Sequence, residues 1–170
     1  GRQAGISLCA VRRGEVAERR IVSRLLLADG DDRACSMTEF ASHEEWLAHE
    51  LQKASNRIIR RKLKGVLEFG EPPTLEVSHR MTRVAGAYFH YKEPFPVIKI
   101  SVLYHRDHGM EETLRVLKHE LAHWAADTFY GKQHVPQHGD AWQKFARHLD
   151  PKMTPHCLSF AFKERNGGKK

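Results

Sequence analysis

Only three cysteines, Cys9, Cys35 and Cys157, occur in the 170 residues, and no two of them form a C-x-x-C pair. A disulfide framework and a cysteine zinc ribbon are excluded within these residues, and free thiols suit a reducing cytoplasm. Long hydrophobic runs are also missing. The longest unbroken apolar stretches, such as residues 25–28, are far short of the roughly 20 residues that cross a bilayer. No apolar N-terminal segment resembles a secretion signal, so a membrane is not expected as a partner. The chain opens Gly-Arg-Gln without a Met, as a processed fragment would. Acidic residues are in deficit, 21 against 28 Lys and Arg, which leaves a formal charge of +7 and a pI near 9.5. That balance favours contact with nucleic acid or another polyanion. There are no internal repeats.

The chain does have enough apolar residues for a core, 41% against 29% charged, over a length that suits one domain. Residues 1–40 read as an extension of unknown role, with a strand expected at 6–11 and a helix at 15–28. Ser42 followed by Glu45 is a capping-box signature. Trp46, Leu47, Leu51, Ala54, Ile58 and Leu63 then recur at helical spacing up to Gly65. The outer face of this long helix carries Arg57, Arg60, Arg61, Lys62 and Lys64. These cations form either a solvated face or a polyanion contact, and Arg57, Arg60, Arg61 and Lys64 are the candidates for nucleic-acid contact. After Pro72-Pro73, residues 74–78, 83–91 and 97–103 read as short strands, with Gly86 marking a bulge or a close backbone approach. Residues 111–130 and 140–149 read as helices, the second with Trp142 and Phe145 facing inward. The expectation is an α+β domain with a small antiparallel sheet, followed at 166–170 by a flexible basic tail.

Twelve histidines are the chemically informative excess. Within the helix at 111–130 lies His119-Glu120-Leu121-Ala122-His123. Residues four apart share a helix face, so two imidazoles there can converge on one zinc ion. Glu120 can then turn its carboxylate to a metal-bound water, the H-E-x-x-H arrangement of zinc hydrolases. With 12 His and 14 Glu, chance gives the pattern roughly 0.07 times, so context must decide. His49-Glu50-Leu51-Gln52-Lys53 begins the same way and ends in Lys. In the second motif Leu114, Leu117 and Leu121 form a separate apolar face, which is expected to leave the histidines turned toward a cleft.

A catalytic zinc needs a third protein ligand and an open position. No Glu occurs from 122 to 162, and position 129, where one zinc-hydrolase pattern places a third His, is Phe129. The remaining candidates are His134, His138, His148, His156, Asp127, Asp140 and Asp150. His138 is favoured, because it precedes Gly139 and the start of a helix after Pro136. His148 is expected to be structural or on the surface. Asp127, one turn beyond His123, is either a solvated residue or a partner that orients a ligand imidazole.

His119-Glu120-Leu121-Ala122-His123-Trp124, followed by His138-Gly139-Asp140-Ala141-Trp142, resembles the SprT-like zinc metallopeptidase family, which includes the Spartan proteases. Met81-Thr82-Arg83-Val84-Ala85-Gly86 resembles the family's strand segment ending in Ala-Gly, and residues 98–103 resemble the strand before its active-site helix. The resemblance covers about residues 41–165. It implies one catalytic zinc held by His119, His123 and His138, with Glu120 as general base. It also implies peptidase activity, in the Spartan branch directed at proteins trapped on DNA. Two features depart from the family pattern: the terminal C-x-x-C ribbon of many bacterial members is missing, and the arm at 1–40 has no counterpart. The expected partners are a protein substrate and DNA, in the cytoplasm, at a bacterial nucleoid or in a eukaryotic nucleus. Residues 98–103 are expected to offer a strand edge to an extended substrate. Two other readings compete: a zinc peptidase with one dedicated regulatory target, independent of DNA, and a non-enzymatic nucleic-acid-binding module with structural zinc.

Overall fold

The computed structural model describes residues 40–90, 95–131 and 137–153. All of them lie in the unit Cys35–Lys170. The strand and helix expected within 1–40, the tail at 166–170, and His134 and His156 fall outside the described residues. Among the described residues, three α-helices and a three-stranded sheet make an α+β fold. No helix among the described residues is long and apolar enough to cross a membrane.

Helix α1 spans His43–Lys62. Ser42 Oγ accepts the Glu45 N–H at 3.2 Å, and Glu45 Oε2 reaches back to the Ala41 N–H at 3.0 Å, so orphan donors of the first turn are satisfied. Leu47, Leu51, Ser55 and Ile59, four residues apart, form its buried line. The helix stops at Leu63 and the chain continues through Gly65 as a 3-10 turn, η1, Lys64–Glu68.

Strands β1 (Thr74–Ser78), β2 (Gly86–Phe89) and β3 (Val97–Ser101) follow, in the sheet order β1-β3-β2. The expected antiparallel sheet is corrected to a mixed one. β2 pairs antiparallel with β3, but β1 pairs parallel with it, Leu75 opposite Ile98 and Val77 opposite Ile100. β3 takes the centre because it is apolar on both faces: Val97, Ile98 and Ile100 are all buried, whereas β1 and β2 are half-buried throughout. With partners on both sides, β3 has no edge to offer a substrate, contrary to the expectation for residues 98–103. The outer edge of β1 is also covered, since Gln52 of α1 accepts the Leu75 N–H at 3.0 Å.

The strand expected to run to residue 103 ends at Ser101, whose hydroxyl caps the next helix by accepting the Tyr104 N–H at 3.2 Å. Helix α2, Val102–Tyr130, therefore begins nine residues before the expected start at 111. Gly109, at φ 79° and ψ −178°, breaks it, a backbone geometry open to glycine. Gly131, at φ 84°, closes it. Helix α3 spans Asp140–Leu149 and buries Trp142, Ala146 and Leu149 against α2.

Candidate metal centre

α2 runs through the middle of the unit, packed against α1, β2, β3 and α3. Its second half is buried around most of its circumference, from Val116 and Leu117 through His119, Glu120, Leu121 and Ala122 to Trp124 and Ala125. His119 is 4% exposed and Glu120 6%. Leu121 and Trp124 hold the helix on the core, and the indole of Trp124 ties it to the Glu71 carbonyl at 2.9 Å.

The four-residue spacing places His123 Nε2 3.3 Å from His119 Nε2. His138 reaches the same point from the loop before α3, with its Nε2 3.0 Å from that of His119 and 3.2 Å from that of His123. Its backbone is left-handed, φ 59°. Gln143 of α3 holds the loop by donating to the His138 carbonyl at 3.2 Å. The indole of Trp142 lies against all three rings, 4.6–5.5 Å between centres, and its N–H donates to the His119 carbonyl at 3.4 Å.

A triangle of three ring nitrogens cannot satisfy itself. Each presents either a proton or a lone pair, so at least one contact must pair like with like. A cation at the centre removes the conflict, because all three lone pairs then point at it. Tetrahedral zinc with bonds of about 2.0–2.1 Å spaces its ligands about 3.3–3.4 Å apart, close to the 3.0–3.3 Å separations of these nitrogens. His119, His123 and His138 can together hold a metal ion, and they are the only such group among the described residues. Burial, then the neighbouring rings, lowers His119 to about 3, and burial followed by His138 lowers His123 to about 4. Both rings are thus neutral, as ligation requires. His119 Nδ1 is buried with no hydrogen-bond partner.

β2 brings the carboxylate into place. Gly86 packs so closely on α2 that a Cβ there would lie 2.5 Å from Val116 Cγ1 and 3.2 Å from Glu120 Cγ. This is the close approach expected from the sequence. The Ser101 N–H to Ala85 carbonyl bond sets the β2–β3 alternation, so Gly86 and Tyr88 direct their N–H and C=O groups away from β3. The Tyr88 N–H on that side bonds the Glu120 carboxylate, which lowers its proton affinity. Burial outweighs that bond and raises Glu120 to about 8. A divalent cation among the rings would oppose that rise. The Tyr88 hydroxyl is pushed well above its usual value, first by burial and then by the charge of Asp127.

Among the described residues no other candidate ligand joins the triad. Asp150 pairs with Lys118 at 3.5 Å, Asp140 is exposed in the first turn of α3, and His148 lies 2.8 Å from the Lys62 carbonyl. Of the basic candidates, Arg57, Arg61 and Lys64 are exposed and Arg60 is half-buried; Arg57 and Arg60 each have a partner. The sequence did not reveal Tyr88 and Gln143. A short alternation from Gly86 to Tyr88 was the only signal for the first, and the second had none.

The sequence matches the SprT-like family over residues 48–160, more than half of the chain. A search of curated proteins returns no match.

Proposed function

This chain belongs to the SprT-like family, and on that premise we propose that it is a zinc-dependent endopeptidase acting on proteins bound or crosslinked to DNA. The observation that carries the catalytic half is the meeting of three imidazole nitrogens beside a buried carboxylate. His119, His123 and His138 would hold the ion and leave a fourth position open. When bound, zinc supplies a Lewis acid that polarises a carbonyl and lowers the pKa of water from 15.7 to about 7. Glu120 takes the proton from the attacking water and returns it to the leaving amine. Its buried position and the Tyr88 N–H keep the carboxylate in one place while it does so. β2 pairs only with β3 among the described residues, and its outer edge, where Glu120 already takes the Tyr88 N–H, runs past that carboxylate. An extended peptide can add there through main-chain hydrogen bonds, with little demand on its sequence.

The DNA half rests on the charge of +7 and on the basic end of α1, where Arg57, Arg60, Arg61 and Lys64 are the proposed contacts. Cleavage of a DNA-binding protein by the zinc-loaded chain, with and without DNA, tests both halves. Glu120→Gln should keep its zinc by elemental analysis and lose about 10²–10⁴-fold in rate. Full cleavage by that variant would remove the peptidase reading. Cleavage indifferent to DNA would point to a dedicated protein target instead.

A further inference from the structure

Three aromatic side chains away from the metal centre stand in solvent: Phe69 is 58% exposed, Phe129 44% and Tyr130 41%. They form one group. Phe69 meets Phe129 edge-on at 5.0 Å between ring centres, and Phe129 meets Tyr130 at 5.0 Å. Half-buried Phe145 of α3 lies 6.0 Å from Phe129 and 6.3 Å from Tyr130. A contiguous exposed aromatic cluster marks an interaction site more often than a bare surface.

Cations frame this cluster. Lys144 Nζ lies 6.0 Å from the Tyr130 ring centre and donates to its hydroxyl at 3.3 Å. Arg147, one turn further along α3, donates to Gln143 Oε1 at 3.1 Å. At the far end of α3, Lys62 donates to the Leu149 carbonyl at 3.0 Å, so the basic last turn of α1 abuts the basic last turn of α3. From there Lys64 opens η1, and the chain runs on to Phe69. Arg61, Lys62, Lys64, Lys144 and Arg147 are all exposed, and none has a carboxylate partner among the described residues. Lys53, Lys99, Arg115 and Lys118 elsewhere are each paired with one. The carboxylates on η1, on α3 and in the last turns of α1 and α2 are few: Glu68 and Asp140 are exposed, Asp127 is half-buried with a partner of its own, and Asp150 is bound to Lys118.

Uncompensated cations beside exposed rings fit a ligand that brings both phosphates and flat apolar faces. An acidic peptide would satisfy the cations and leave the rings bare. A duplex hides its base faces in the stack. We propose that the outer face of α3, with the ends of α1 and α2, is a binding surface for single-stranded DNA. The proposal rests on the DNA-associated reading above and adds to it the surface and the strandedness. Trp142, on the inner side of the same helix, lies against the histidine triad. DNA on the outer side would therefore hold an attached protein about one helix diameter, roughly 10 Å, from the metal centre.

Fluorescence anisotropy of the zinc-loaded full chain tests this with an oligothymidylate of about 20 nucleotides, a duplex and an oligouridylate of equal length, between about 50 and 200 mM salt. The thymidylate should bind about tenfold or more tightly than the duplex. Phe129→Ala and Tyr130→Ala should each weaken it roughly five- to hundredfold. Lys144→Gln combined with Arg147→Gln should lower the salt slope by about 1–2. Lys99→Gln, which alters a carboxylate-paired cation elsewhere, should change nothing, and melting curves show whether each variant is folded. Equal binding of duplex and single strand, or indifference to loss of the rings, overturns the proposal. So does tighter binding of the uridylate, or a dimer that Phe129→Ala disperses in sedimentation. Hydrolysis is not read here, and Glu120→Gln should bind as the wild type does, so failure of the peptidase reading leaves this result standing. Wild-type protein that binds no DNA at all removes DNA association together with this surface, whereas binding insensitive to these variants removes the surface alone.

Discussion

Where β2 crosses α2, Gly86 leaves no room for a side chain. A Cβ there would meet Val116 Cγ1 at 2.5 Å, with Glu120 Cγ and Ile100 Cδ1 at 3.2 Å, so the strand or the helix would have to move. Overpacking of this kind costs about 1–3 kcal/mol. A strand that shifts outward also loosens the Tyr88 N–H from Glu120. Gly86→Ala should therefore lower the unfolding free energy by that amount in urea titration, and should slow cleavage in protein that is still folded. Unchanged stability would show that the strand yields freely. The histidines add a pH dependence. His119 at about 3 and His123 at about 4 lie below the ordinary 6.5, chiefly through burial. In the unfolded chain both take up protons near 6.5, so between about pH 6.5 and 4 the unfolded state binds more protons than the folded one. Stability of the metal-free chain is then intact above that window and falls as the pH drops through it. Melting of chelated protein should give a lower Tm at about pH 5 than at pH 7, and His119→Gln combined with His123→Gln should shrink the difference. Glu120, raised to about 8, acts in the opposite sense because the folded state binds its proton first, so the comparison belongs in Glu120→Gln protein, where an unchanged Tm would contradict burial of neutral rings.

Among the elements, local signals were legible and long-range ones were not. The Ser42–Glu45 cap, the bounds of β1 and α3, and the His119–His123 spacing are all set by residues within a few positions of one another. Sheet order is not. The run of Val97, Ile98 and Ile100 could be read as a strand buried on both faces, but its parallel partnership with β1 depends on how residues 79–85 carry the chain across. Val102, Leu103 and Tyr104 have strand-forming side chains, which hid the early start of α2, and only the φ of Gly109 shows where that helix breaks. Gln143 illustrates the same limit, since nothing in the periodicity of α3 marks a polar side chain that reaches the His138 carbonyl. Residues that hold a metal ligand from behind commonly account for ten- to hundredfold in affinity. Gln143→Ala should weaken zinc binding by about that factor in competition with a chelator, with the fold unchanged by circular dichroism. Unaltered affinity would mean that the left-handed turn at His138 is held by other contacts.

For the whole molecule, the histidine set makes metal binding a folding interaction. His119 and His123 belong to α2, whereas His138 lies 15 residues beyond His123 in the loop that leads into α3. One ion on all three would fasten α3 to the central helix, in addition to the burial of Trp142, Ala146 and Leu149. The unfolded chain offers no such preformed triangle, so zinc should stabilise the folded state by about 2.7 kcal/mol at a hundredfold excess over its Kd. For a chain of this size that corresponds to a rise in Tm of roughly 5–10 °C over chelated protein. Glu120→Gln should keep the whole increment, because its carboxylate is read as a base and not as a ligand. His138→Ala should lose most of it, since two histidines one turn apart on α2 hold the ion without reaching α3. Calorimetry of the wild type and both variants, each with zinc and with chelator, separates these roles. If His138→Ala kept the full increment, the third ligand would come from elsewhere in the chain, and the assignment of the triad, with the placement of Glu120 beside it, would have to be abandoned.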